Sequence, residues 1–173
     1  GNTLFGLAVV GEITGAINCF TIDFESDDSG LAMAHGTKVD SEFDGGGDFP
    51  IVTGSLNGSG MNTAAILNSS TGPAMQDPDL LVGTGNILIL QTDANLSECP
   101  PASGIYCSHN DDEDGGLLAF DWGGRLISPR SVALIDIDAS DGTSMVVLTD
   151  DAGADRTYTI PAGWTGDLVT DAT

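Results

Sequence analysis

Apolar residues in this chain come in short, β-branched runs, and each run is cut off within a few residues by Gly, Asp, Asn or Pro. Runs of that length, lacking the three- and four-residue recurrence of an amphipathic helix, read as strands. The segments that fit are Thr3 to Val10, Ala16 to Glu25, Thr37 to Phe43, Ile51 to Leu56, Asn86 to Thr92, Gly116 to Trp122, Ser131 to Asp138, Ser144 to Thr149 and Thr157 to Ile160. Met61 to Leu67 fits either a strand or a short helical turn. The expected fold class is all-β, and this number of strands suits an antiparallel β-sandwich.

The 173 residues match one domain with a proper core. Against 26 acidic residues stand only Lys38, Arg125, Arg130 and Arg156, a net charge of −22 that repels phosphate backbones and anionic bilayers alike. Nucleic acid is excluded as a partner on that ground. No apolar run approaches the roughly 20 residues of a membrane span, so membrane insertion is not expected. The apolar opening has no Met start or basic segment before it, which reads as a mature, processed chain. A compact state this acidic needs high salt or bound cations, which leaves two readings, a generic acidic or halophilic surface and a calcium-stabilised one.

Clustering bears on that choice. In Asp23-Phe24-Glu25-Ser26-Asp27-Asp28, strand alternation would put Asp23 and Glu25 on one face, away from Ile22 and Phe24. In Asn110-Asp111-Asp112-Glu113-Asp114-Gly115, Asn110, Asp112 and Asp114 alternate before a glycine, the opening spacing of a calcium loop, and Asp121 falls at the twelfth position. Asn110 and Asp121 depart from the EF-hand pattern, as do strand-like flanks, so a calcium loop is read and an EF-hand is not. Asp136-Ile137-Asp138 again places two carboxylates on one strand face before a turn. Each cluster alone reads equally as a solvated acidic turn; together they favour at least one bound Ca2+.

Cys99 and Cys107 bracket a short Pro-Pro loop, a closure that suits a disulfide in an oxidising compartment. Cys19 is left over in an apolar stretch, as a buried inert thiol or an intermolecular link. Sequons at Asn57, Asn68 and Asn95 lie among turn formers and are candidate glycosylation sites. Only His35 and His109 could serve as a catalytic base, and neither adjoins a nucleophile motif. The many carboxylates offer too many pairs to single out a glycosidase dyad, and Trp122, Trp164, Tyr106 and Tyr158 serve core packing as readily as sugar stacking. No enzymatic activity is expected.

Several stretches carry a resemblance when taken in order. They are Phe20-Thr21-Ile22-Asp23-Phe24-Glu25, Gly36-Thr37-Lys38-Val39-Asp40-Ser41-Glu42-Phe43, Gly85-Asn86-Ile87-Leu88-Ile89-Leu90, Ser131-Val132-Ala133-Leu134-Ile135-Asp136-Ile137-Asp138 and Ile160-Pro161-Ala162-Gly163. Their spacing resembles the jelly-roll-like β-sandwich ectodomains of bacterial exported surface proteins with short carboxyl-terminal sorting anchors, over roughly Phe20 to Asp167. The resemblance implies an exported, calcium-associated, non-catalytic sandwich, with Asp23, Glu25, Asp136 and Asp138 as the matching metal carboxylates. Such domains continue past the Ile160-Pro161-Ala162-Gly163 segment into a further apolar strand, whereas this sequence stops at Thr173 and carries an extra apolar segment, Asn2 to Gly11, at its start.

One strand is thus expected to be missing and one spare. The spare strand can insert into a neighbouring copy through Leu4, Phe5, Leu7, Val9 and Val10, resembling the donor-strand logic of some pilins, or fold back into its own domain. Residues 1–15 are then donor strand and hinge, and residues 16–173 the sandwich. Exchange makes a heterologous contact that propagates as a filament of copies of itself. The leading expectation is a structural subunit of an extracellular filament or surface assembly. The alternative is a monomeric, calcium-dependent adhesion module with glycans as partners.

Overall fold

The computed structural model describes residues 5–13, 19–44, 49–57, 60–70, 80–92, 96–112, 114–137 and 143–161, with 5–13 and 19 as backbone. These residues form strands β1 (Phe5–Ile13), β2 (Cys19–Ile22), β3 (Ile51–Leu56), β4 (Ala64–Asn68), β5 (Asn86–Leu90), β6 (Gly116–Asp121), β7 (Ile127–Ile135), β8 (Met145–Thr149) and β9 (Asp155–Thr159). Among the described residues there is no helix, and every strand pair is antiparallel. The fold is all-β. Sheet order is β2-β1-β7, with three two-stranded ladders, β3-β6, β4-β5 and β8-β9.

The β4-β5 ladder is the centre of the molecule. Its register sets Ala64 opposite Leu90, Ile66 opposite Leu88 and Leu67 opposite Ile87. Every residue of β5 is buried, as is all of β4 up to Leu67. Alternation divides these side chains between two cores. Ala64, Ile66, Leu88 and Leu90 join Phe24, Phe43, Val52, Leu118 and Leu134 on one side, whereas Ala65, Leu67, Ile87 and Ile89 join Leu80, Tyr106 and Ile135 on the other. A ladder covered on both faces has no use for polar alternation, which is why Asn86-Ile87-Leu88-Ile89-Leu90 is an unbroken apolar run after its first residue. Gly54 on β3 makes the close approach possible. A Cβ there would stand 2.7 Å from the Leu90 side chain and 2.9 Å from the Ala64 backbone nitrogen.

Three expected strands differ in extent for backbone reasons. The first pair of carboxylates lies beyond β2, because Phe24 adopts a left-handed φ of 61° that ends the extended run. At the end of β7, Asp136 does the same with φ 57°. The segment expected as a strand from Thr37 to Phe43 is instead an irregular tie. Gly36 donates to the Ile66 carbonyl (2.7 Å) and Val39 to that of Ala64 (2.8 Å), while Lys38 donates to Gly104 (2.8 Å) and Tyr106 to Gly36 (2.9 Å). This tie covers the outer edge of β4. Met61 to Leu67, left open as strand or helical turn, contributes β4.

The apolar N-terminal segment is the central strand of the largest sheet. β1 pairs with β2 on one side (Val9 opposite Ile22, Val10 opposite Thr21) and with β7 on the other (Phe5 opposite Ile135, Leu7 opposite Leu134, Val9 opposite Val132). Within one chain, therefore, β1 takes the folded-back position. Leu4 lies outside the described residues.

Candidate metal cleft and buried histidine pair

The acidic loop between Asn110 and Gly115 is hung on the ends of two strands. Buried Gln91, just past β5, forms an isolated bridge with Asp111 and donates through Nε2 to the Ser108 carbonyl at 3.2 Å. Thr92 donates to the Asn110 carbonyl at 2.9 Å. At the end of β3, Asn57 Nδ2 donates to the Asp114 carbonyl (2.7 Å) and its backbone N–H to that of Gly115 (3.2 Å). Gly115 turns the chain with φ 76°. Thr92, Asn110, Asp111, Asp112 and Asp114 consequently line one cleft of about 190 Å³. Asp111 is only 2 % exposed, an uncommon position for a carboxylate, because desolvating a charge is costly unless it is compensated.

This all-oxygen donor set has the chemistry of a hard divalent cation site. It is not assembled into a tight coordination sphere, since among the described residues no three His, Cys, Asp or Glu side chains converge as a metal-holding group. Of the expected ligands, Asn110, Asp112 and Asp114 share the cleft and Asp121 does not. A strand rises about 3.3 Å per residue, so β6 carries Asp121 away from the loop, and its Oδ1 accepts from the Gly123 N–H at 2.8 Å. The twelfth position of a helical calcium loop folds back; the end of a strand cannot.

The other expected ligands have structural duties. Glu25 Oε1 accepts from the Asn86 N–H (2.8 Å), capping the start of β5, and Asp23 Oδ1 accepts from the Glu25 N–H (3.1 Å). Asn86 Nδ2 in turn donates to the carbonyls of Phe24 and Met33, both at 3.0 Å. Asp136 is buried at the end of β7, and Asp138 lies outside the described residues. Asp27 organises its own turn: Oδ1 accepts from Ser29 Oγ, Ser29 N–H and Leu31 N–H, and the Ser29 hydroxyl first among these lowers its pKa.

Cys99 and Cys107 are joined by a disulfide, with Cα atoms 4.8 Å apart. It closes a small hairpin in which Cys99 donates to Ile105 and Cys107 to Ser97. Among the sequons, Asn57 is exposed although its amide is engaged with Asp114, and Asn68 is half-buried at the end of β4. Asn95 lies outside the described residues.

The two histidines, distant in sequence, come together. Their ring centroids are 3.9 Å apart. His35 Nδ1 accepts the Asn68 N–H at 3.0 Å, and the His109 ring is hydrogen-bonded to the Tyr106 backbone. Both Nε2 atoms are buried and make no hydrogen bond among the described residues. Desolvation lowers the pKa of His35, and desolvation with the facing His35 lowers that of His109 to about 4. Gly36 leaves the room: any Cβ there would collide with His109 Nε2. Nothing in the local sequence of either histidine signals this pairing, because it depends on the tie at 36–39 meeting the hairpin at 105–109. Comparison with protein-family models, curated proteins and solved structures returns no match.

Proposed function

We propose that this chain is a non-catalytic structural subunit of an extracellular assembly, a jelly-roll-like β-sandwich that polymerises by exchanging its N-terminal strand and is stabilised by calcium. One observation carries the reading: β1 is the central strand of its sheet, paired on both sides. Withdrawing it would open the sheet between β2 and β7 and leave two unpaired edges. A copy of the same strand from a neighbour fits that gap with identical pairing, so the exchanged and folded-back states share the same strand-to-strand hydrogen bonds.

The disulfide Cys99–Cys107 supports an oxidising, extracellular setting. The oxygen-lined cleft at Asn110, Asp112 and Asp114 supports calcium there, and glycans at Asn57, Asn68 or Asn95 belong to the same picture.

A second reading has its own support. Since β1 already completes its own sheet, the chain suits a self-contained, calcium-dependent adhesion module that binds glycans.

The test is electron microscopy of the chain in millimolar calcium, beside a chain lacking residues 1–11, with and without a synthetic peptide of residues 1–13. Filaments that vanish on deletion, together with a truncated chain restored to a soluble, folded particle by the peptide, are expected. Isolated particles from the intact chain would overturn polymerisation, and affinity on a glycan array, lost with a chelator, would favour the adhesion module.

A further inference from the structure

Among the strands whose side chains are described, the hairpin of β8 and β9 is the least covered ladder. All five residues of β9 are exposed, and on β8 only Val146 and Leu148 are half-buried. Met145, Val147 and Tyr158 are 39, 44 and 38 % exposed, high values for apolar side chains in a strand. Among the described residues, neither strand pairs with anything but the other.

Its hydrogen-bond phase is set at both ends. Asp150 donates to the Ala154 carbonyl at 3.0 Å and Ile160 to that of Ser144 at 2.9 Å. Bonded and non-bonded pairs alternate along an antiparallel ladder, so Leu148 with Arg156 and Val146 with Tyr158 are the bonded pairs. The N–H and C=O groups of Asp155, Thr157 and Thr159 therefore point away from β8, as an open edge.

Edges of the larger sheet are blunted in familiar ways. β7 carries Pro129 and Arg130 with a register irregularity beside them, and β2 is four residues long. β9 has neither a proline nor a bulge. Charge then says what can approach it. The chain carries −22 overall, and two copies repel over most of their surface. Across β8 and β9 the only charges are Asp155 and Arg156, which cancel.

We propose that β9 is a self-association edge, on which β9 of a second copy pairs antiparallel about a two-fold axis at Thr157. This register alone joins every outward group: Thr157 meets its own counterpart, and Asp155 meets Thr159 in both directions. Between these bonded pairs, Arg156 of each copy lies opposite Tyr158 of the other, a close pair suited to a cation–π contact. Among the described residues Arg156 makes no ion pair, so this contact costs no existing partner. A shift that set Asp155 against itself would place like charges face to face. The contact is isologous and closes as a dimer, so it is distinct from strand exchange at β1 and does not depend on it.

Sedimentation equilibrium of the intact chain at fixed calcium and physiological salt tests the pairing. Where the chain is not polymerised through β1, a concentration-dependent dimer is expected. Thr157→Pro removes one outward N–H from each copy without touching a β8 bond, and should raise the dissociation constant roughly tenfold or more. Thr157→Asp, which sets two carboxylates against each other at the axis, should do the same, while Thr157→Val should leave dimerisation in place. Equal melting temperatures across the set would show that folding is unaffected. A wild-type chain that stays monomeric at its highest soluble concentration, or a dimer indifferent to Thr157→Pro and Thr157→Asp, would overturn the proposal. If the chain forms filaments through β1, the same two variants should split paired filaments into single ones of undiminished length.

Discussion

His35 and His109 face each other with ring centroids 3.9 Å apart, and each keeps a buried Nε2 without a hydrogen bond among the described residues. His35 can accept the Asn68 N–H only while its Nδ1 is unprotonated, so this contact requires neutral imidazole. Protonating either ring would put a charge in a site that desolvation already disfavours.

Stability should accordingly decline on mild acidification. Above the ordinary histidine pKa of 6.5, folded and unfolded states are both neutral and His109 adds no pH dependence. As pH falls, the unfolded chain binds a proton before the folded one, until His109 itself titrates at about 4. The loss over that window should reach about 2 to 3 kcal/mol, allowing for partial solvent screening. Urea midpoints between pH 7 and 4.5 should slope more steeply for the wild type than for His109→Phe, and identical slopes would refute the assignment.

Calcium should stabilise the chain through the cleft at Asn110, Asp112 and Asp114. Chelation is expected to lower the melting temperature, and the double change Asp112→Asn with Asp114→Asn should abolish that response. Asp121→Asn, at the far end of β6, should retain it in full. A calcium response that survives the double change but fails in Asp121→Asn would place the ion elsewhere.

Glu25 should matter for a different reason. Its carboxylate receives the Asn86 N–H, and Asn86 bridges the Phe24 and Met33 carbonyls from a buried position. Asn86→Ala should cost about 2 to 4 kcal/mol by stranding buried polar groups. Glu25→Gln should cost about 1 to 2 kcal/mol, equally with calcium and with chelator. A penalty confined to calcium-loaded protein would make Glu25 a ligand after all.

Gly54 should tolerate no side chain. Gly54→Ala pushes a methyl toward Leu90 and the Ala64 backbone nitrogen, and since the latter cannot swing aside, a destabilisation of about 1 to 3 kcal/mol is expected in denaturant titration. Gly60→Ala, with open space around it, is the control and should be near neutral.

What the sequence determined by itself is local. Short apolar runs between turn formers specify strands, and Ile51 to Leu56 was legible to the residue, because one-dimensional patterning records alternation and interruption. The spacing that brings Asn110, Asp112 and Asp114 to one cleft was legible too, since a loop of a few residues holds its own side chains together. Tertiary structure decided the rest. Left-handed backbone at Phe24 and Asp136 ended strands where composition alone would continue them. The direction of β6 separated Asp121 from the loop, and the meeting of 36–39 with 105–109 made the histidine pair. The N-terminal strand's central place between β2 and β7 is likewise a matter of long-range pairing. Such contacts join residues far apart in the chain, and their energies depend on which surfaces meet in space, a quantity that local spacing does not encode.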